Sequence, residues 1–192
     1  MSTTPESSAA FFEAMYREDT DPWNFAGSSY ELSRYQAIFA ALSHRRYRRA
    51  FEPGCSIGVL TERLAGICVA VVGVDFSETA IAQARERCAH LPNVTLSYKS
   101  LTEALPVEGF DLIVLSEIGY YFAAEEWSKL SGELIRSLAP GATLLGAHWL
   151  GSSPDHQLNG DQVQTILAAN PLLRLEHSER HEAFRLERWT RL

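Results

Sequence analysis

The sequence predicts an α/β fold: a doubly wound, mostly parallel sheet with helices on both faces. Three observations carry the prediction. Short runs that are apolar nearly throughout, such as CVAVVGVD (68–75) and FDLIVLSE (110–117), alternate with amphipathic stretches of helical period. The glycines, acids and aromatic clusters fall just after those runs, at strand carboxyl ends, where such sheets bind ligands. The chain has 192 residues, 46% apolar and 21% charged, which suits one globular domain.

Each element follows in order. Residues 1–8 read as a disordered lead-in and 9–45 as a helical cap segment. AAFFEAMYRE (9–18) is apolar at helical spacing and stops before Pro22, which disfavours helix in the residue preceding it. SYELSRYQAIFAALSHRRYR resumes a helix, with Ser29 as its expected cap and Leu32, Tyr35, Ile38, Phe39 and Leu42 on one face. Residues 46–192 form the expected core. It opens with strand RRAFE and helix GVLTERLAGI, then strand CVAVVGVD and helix SETAIAQARERCAH. Strand VTLSYKS, a helical piece near 101–105 and strand FDLIVLSE follow. Helix EEWSKLSGELIRSL, closed by APG, precedes strand ATLLGAHW and helix GDQVQTILAAN. LLRLEHSE and EAFRLERW make a closing hairpin.

Composition excludes some functions. A formal net charge of −7 argues against a nucleic-acid partner. The single basic cluster, HRRYRR at 44–49, reads as a solvated helix end. Three cysteines, an odd number without ligand spacing, imply reduced thiols and no metal. No run is long enough to cross a bilayer, and MSTTPESSAA lacks the basic start and apolar stretch of a secretory signal. Cytoplasmic location and no membrane partner are expected. Oligomeric state is not readable.

The loop EPGCSIG (52–58) must turn the chain sharply from a strand into a helix. Gly54 and Gly58 permit that turn, but the glycine in the middle of a dinucleotide fingerprint is missing and Ser56 stands nearby. Glu52, directly upstream, would repel a pyrophosphate and suit a ligand with a positive amino group. Asp75 ends the next strand about twenty residues on, where an acid accepts hydrogen bonds from both ribose hydroxyls. A nucleoside with an amino-acid tail meets these requirements. The expected cofactor is S-adenosyl-L-methionine, with its ribose on Asp75 and its ammonium near Glu52. Cys55 in the loop, Phe76 after Asp75 and Ser116 at the end of FDLIVLS join the cofactor set.

The run from EPGCSIG through VVGVD and FDLIVLSEIGYYF to LAPGATLLGAHW resembles the class I S-adenosylmethionine-dependent methyltransferases. The resemblance implies a Rossmann-like, seven-stranded sheet with an antiparallel last strand. It also places Ser100 and Leu101 near the adenine, with Ser100 standing where the family often has an acid. DPWNFAGSSYELSRYQ is similar to the cap of nodulation-protein-S-like methyltransferases, which N-methylate the free amine of a chitooligosaccharide. That similarity implies that Trp23 and Tyr30 belong to a cap over the cofactor and that Arg34 pairs with its carboxylate.

The acceptor is then a small molecule or an oligosaccharide, methylated at an amine nitrogen. An ammonium has no lone pair, so a base or a proton route to solvent is needed. Glu117, His148 and Tyr121 are the expected catalytic residues, from the loops after the fourth and fifth strands. Tyr120 offers a second hydroxyl, and Asp155, His156 and Asp161 are placed at the acceptor rim, although a helix cap explains Asp161 equally well. Two alternatives stay open: a non-catalytic cofactor-binding partner subunit, and a nicotinamide-dependent oxidoreductase.

Overall fold

The computed structural model describes residues 9–43, 45–102 and 109–192. Residues 1–8, expected as a lead-in, lie outside them, as do His44 and most of the helical piece expected at 101–105. Two helices come first, α1 (Ala9–Glu18) and α2 (Ser29–Leu42). The core then runs β1 (Tyr47–Pro53), α3 (Val59–Ala65), β2 (Cys68–Asp75), α4 (Glu78–Arg87), β3 (Val94–Tyr98) and β4 (Phe110–Ser116). It closes with a 3₁₀ turn (Gly119–Tyr121), α5 (Ala124–Ser137), β5 (Leu138–Trp149), α6 (Gly160–Ala168), β6 (Leu173–Arg180) and β7 (Phe184–Arg191).

The strands form one seven-stranded sheet in the order β3-β2-β1-β4-β5-β7-β6, and β7 runs antiparallel to both its neighbours. Order reverses between β1 and β4, which pair in parallel, so the crevice for a ligand opens beyond their carboxyl ends. Strand β4 shows why the sheet is apolar throughout. Leu112 and Val114 enter one core with α2 and α3, whereas Ile113 and Leu115 enter the other with α5 and α6. Both faces are covered, and a period of two leaves no polar side.

Local details depart from expectation for readable reasons. Ser28, not Ser29, is the N-cap of α2, and it makes no side-chain cap bond. Leu32 of that helix is exposed, and its buried face carries Glu31 and Arg34 beside Tyr35, Ile38 and Leu42. The APG segment lies inside β5 as an irregularity: Phe110 pairs with Leu138, then Leu112 with Thr143, and Gly141 takes φ +78°. The basic cluster is not a helix end. Arg45 donates to the Asp111 and Gly141 carbonyls, the Arg48 and Arg49 amides donate to the Asp111 carboxylate, and the Arg49 guanidinium lies 4.6 Å from the Phe110 ring centre. The cap of α6 is Asn159 in a reciprocal capping box with Gln162. Asp161 instead pairs with Arg180 and Arg185.

The three cysteines are buried and free, and no helix among the described residues is long and apolar enough to cross a membrane.

Gly58 has φ +79°, and a Cβ there would lie 3.0 Å from the Ala84 Cβ and 3.1 Å from its Cα. Gly58→Ala is therefore expected to destabilise the chain by about 1–3 kcal/mol, combining backbone strain and overpacking against α4. A lower urea midpoint at unchanged slope checks this.

Candidate active site

A cavity of about 310 Å³ opens at the carboxyl ends of β1, β2 and β4, within the range of small-molecule sites. Its floor is Glu52, the loop after it, Asp75 and Ser116; its roof is Phe12, Tyr16, Trp23 and Phe25 from the cap. The protein's own side chains do not fill it.

The two acids are held differently. Asp75 is buried, with Oδ2 accepting from the Ser56 amide and Oδ1 from the Ser77 amide, both at 2.9 Å. The Phe76 amide also donates to this carboxylate, whose four lone-pair sites leave room for a further donor. Burial raises its pKa to about 6 in spite of those bonds. Glu52 is buried, and among the described residues it has one direct side-chain bond, from Thr61 Oγ1 at 2.5 Å, and no ion-pair partner. Burial pushes it to about 8. A desolvated acid without a close counter-ion fits a cationic group, and an acid held by backbone amides fits a pair of hydroxyls. The donor set therefore suits a nucleoside carrying an ammonium, and Glu52 and Asp75 are the residues that would hold it.

The loop between the acids is built for shape. Ser56 takes φ +49° and Gly54 φ +69°. A Cβ on Gly54 would strike Ile118 at 2.7 Å, and Gly58 faces α4. Gly54 and Cys55 line the cavity and Gly58 does not, so the second glycine serves close packing of α3 on α4 rather than approach to a ligand.

On the cap, Arg34 is buried and lines the cavity. It donates to Ser116 Oγ through Nη1 and to Glu31 through Nη2, and Nη1 lies 3.5 Å from Glu117 Oε1. Among the described residues its Nε has no hydrogen-bond partner. Burial disfavours its charge, but Glu117 and Glu31 raise its pKa on balance. Tyr30 does not reach the cavity. Its ring packs edge-on to Phe184 and flanks the Arg34 guanidinium at 5.9 Å. Trp23 lines the cavity within an aromatic group formed by Phe12, Tyr16 and Phe25. Phe76, Ser100, Leu101 and Ser116 also line it.

Glu117 follows β4 with φ +55°, a left-handed conformation that a non-glycine residue adopts only when held. Its Oε1 accepts from the Trp149 amide at 3.0 Å and its Oε2 from the Tyr120 hydroxyl. Tyr121 lines the cavity beside it, packed edge-on to Phe12 at 5.0 Å. The expectation for His148 fails. That ring is fully buried behind Tyr120 and Trp127, does not line the cavity, and accepts from the Gly119 amide at 3.3 Å. Burial, then the Arg34 charge, lowers its pKa to about 3, so it is neutral and out of reach as a base. Asp155, His156 and Asp161 are absent from the lining, and Gln157 stands there instead; His156 stacks on Tyr120 at 3.8 Å. No cluster of metal-ligating side chains occurs among the described residues.

The sheet order and this cleft define a Rossmann-like fold. The family model of nodulation protein S (NodS) matches residues 12–153, and the chain belongs to that family. It is 32% identical over 127 residues to nodulation protein S of Rhizobium tropici, covering 65% of this chain and 53% of that one. It is 33% identical over 128 residues to that of Bradyrhizobium diazoefficiens, covering 65% and 61%. The chain thus spans about half to three-fifths of the length of these relatives. The crystal structure of N-methyltransferase NodS from Bradyrhizobium japonicum WM9 with S-adenosyl-L-homocysteine superposes with a TM-score of 0.82 at 24% identity, over 94% of this chain and 97% of that one.

Because Glu52 has an ordinary pKa of 4.5 and a folded value of about 8, the folded state holds more protons between those limits than the unfolded state. Ligand-free stability should therefore fall as pH rises from about 4.5 to 8, with Asp75 adding the same sign between 3.8 and about 6. Glu52→Gln should flatten the upper part of that slope, measured as urea midpoint against pH.

Proposed function

We propose that this chain transfers a methyl group from S-adenosyl-L-methionine to an amine nitrogen of a small-molecule or oligosaccharide acceptor. One observation carries the reading: two buried carboxylates at adjacent strand ends line one cavity, one without an ion-pair partner among the described residues and one held by amides. Asp75 would accept from the ribose hydroxyls, Glu52 would pair with the ammonium, and the free Nε of Arg34 is suited to the carboxylate. Trp23 would cover the cofactor. The cofactor supplies a methyl group on a positive sulfur. Everything else falls to the chain's own residues.

Glu117 is the residue best placed to receive an amine. Its Oε2 accepts from Tyr120 and its Oε1 from the Trp149 amide, each oxygen retains a lone pair, and its backbone is fixed by the Ala147 carbonyl at 3.1 Å. It orients the nitrogen and takes the proton or passes it towards solvent at the cavity mouth. Tyr121 contributes a ring against a cation. An amine acceptor accords with N-methyltransferase NodS from Bradyrhizobium japonicum WM9.

Calorimetry should show binding of S-adenosylmethionine and S-adenosylhomocysteine and none of NAD; binding of NAD alone overturns the reading. Asp75→Ala should weaken cofactor binding at least tenfold. Trp23→Ala should weaken it with little change in ligand-free melting temperature, whereas an equal drop in melting temperature would make Trp23 a packing residue only. In a screen of amines, amino sugars and hydroxyl compounds followed by mass, methylated amines are expected, and Glu117→Gln should slow their formation by roughly a hundredfold. No product from any acceptor would favour a cofactor-binding partner subunit.

A further inference from the structure

The backbone amides of Ser56 and Ser77, with that of Phe76, fix the Asp75 carboxylate. The side chains of both serines are tied to α1. Tyr16 donates its hydroxyl to Ser56 Oγ at 2.5 Å, and Ser77 Oγ donates to Glu13 Oε2 at 2.6 Å. The Glu13 carboxylate also accepts from Thr79 Oγ1 at 2.6 Å and from its amide at 3.3 Å. Ser77 is the N-cap of α4, accepting from the Ala80 amide at 3.0 Å, so Glu13 sits at the positive end of that helix.

Both attachments have a physical basis. Burial alone would raise the Glu13 pKa, but the bonds from Ser77, Thr79 and Arg17 outweigh it and hold the group at about 2. The acid is therefore ionised at neutral pH, and charge-assisted bonds are the strong ones. Ser56 takes φ +49°, a conformation that persists only when neighbours over-determine it. Tyr16 is buried, and its hydroxyl holds the Ser56 side chain in place. A carboxylate that is to meet two hydroxyls must present both oxygens at a set rotation, and these amides set it.

We propose that Glu13 and Tyr16 are positioning residues for Asp75, so that docking of α1 and capture of a vicinal diol are one coupled event. The proposal rests on the ribose reading above and gives α1 a task beyond covering the cavity. By linkage the coupling runs both ways: a ligand on Asp75 also holds α1 down.

Calorimetry with S-adenosylhomocysteine on the full chain tests this. Tyr16→Phe and Glu13→Gln should each weaken binding about fivefold or more. In an Asp75→Asn background, Tyr16→Phe should change affinity by less than about twofold, because the carboxylate it positions is gone. Losses that multiply in full in that background would make α1 a cover only and overturn the proposal, as would unchanged affinity in both single variants. If the unmodified chain fails to bind the probe, the ribose reading and the proposal fall together. If Glu13→Gln unfolds the ligand-free chain, Tyr16→Phe carries the test, since it removes one hydroxyl and keeps the ring against Trp23 at 5.4 Å.

Discussion

The burial of carboxylates at strand ends is the constraint on which the site depends. Removing an acid from water is costly unless a charge or several donors replace the water. Asp75 is compensated by amides that the sheet and α4 hold in place. Glu52 is compensated by one hydroxyl, and its pKa of about 8 records the shortfall. A sheet bearing only packing loops would have no reason to keep such an acid. The parallel register of β1 and β2 sets the two side by side, since Glu52 pairs with Gly73 and Pro53 with Val74, one residue short of Asp75.

A second charged group lies across the cavity. The buried face of α2 carries Glu31 and Arg34 one turn apart, and Arg34 reaches Ser116 at the end of β4 and Glu117 just after it. A buried ion network is a poor source of stability, because desolvation offsets most of its attraction. It is a good way to fix geometry, because each member has only one satisfactory arrangement. Here it ties the cap helix to the end of β4 and holds Glu117 in its left-handed conformation. The network thus joins the two halves of the proposed chemistry, cofactor tail and acceptor nitrogen, through one guanidinium.

Much of this was legible in the sequence because two signals are local. Apolar runs of strand length located the strands, with β2 found to the residue, and the acids closing β1 and β2 followed from position alone. What escaped was the traffic between distant segments. Glu13 and Tyr16 look like ordinary members of an amphipathic helix, and nothing near them in sequence announces Ser77 or Ser56 as partners. Glu31 gave a fainter signal: with Arg34, Ile38 and Leu42 it keeps the helical period, but polarity drew the expected face round to Leu32. His148 misled in the opposite way. It closes a strand beside the site, yet the period of two turns its ring into the core between Tyr120 and Trp127. Position at a strand end is necessary for a role in the cleft; the side on which the residue points decides it.

The charges lining the cleft define what it can hold. Glu52, Asp75 and Glu117 face Arg34, whose Nη2 is taken by Glu31. Lys99 and Glu126, also in the lining, oppose each other in sign. The interior is therefore short of positive charge, and a ligand with a net cationic character would relieve it more than an anion would. A dinucleotide brings a pyrophosphate to the Glu52 side of the loop and makes the imbalance worse. A sulfonium amino acid brings two positive groups against one carboxylate, and the proposed amine acceptor would bring a third beside Glu117. One feature, a lining whose acids outnumber its bases, thus favours the cofactor and would favour that acceptor, and it disfavours phosphate-rich ligands without any steric gate.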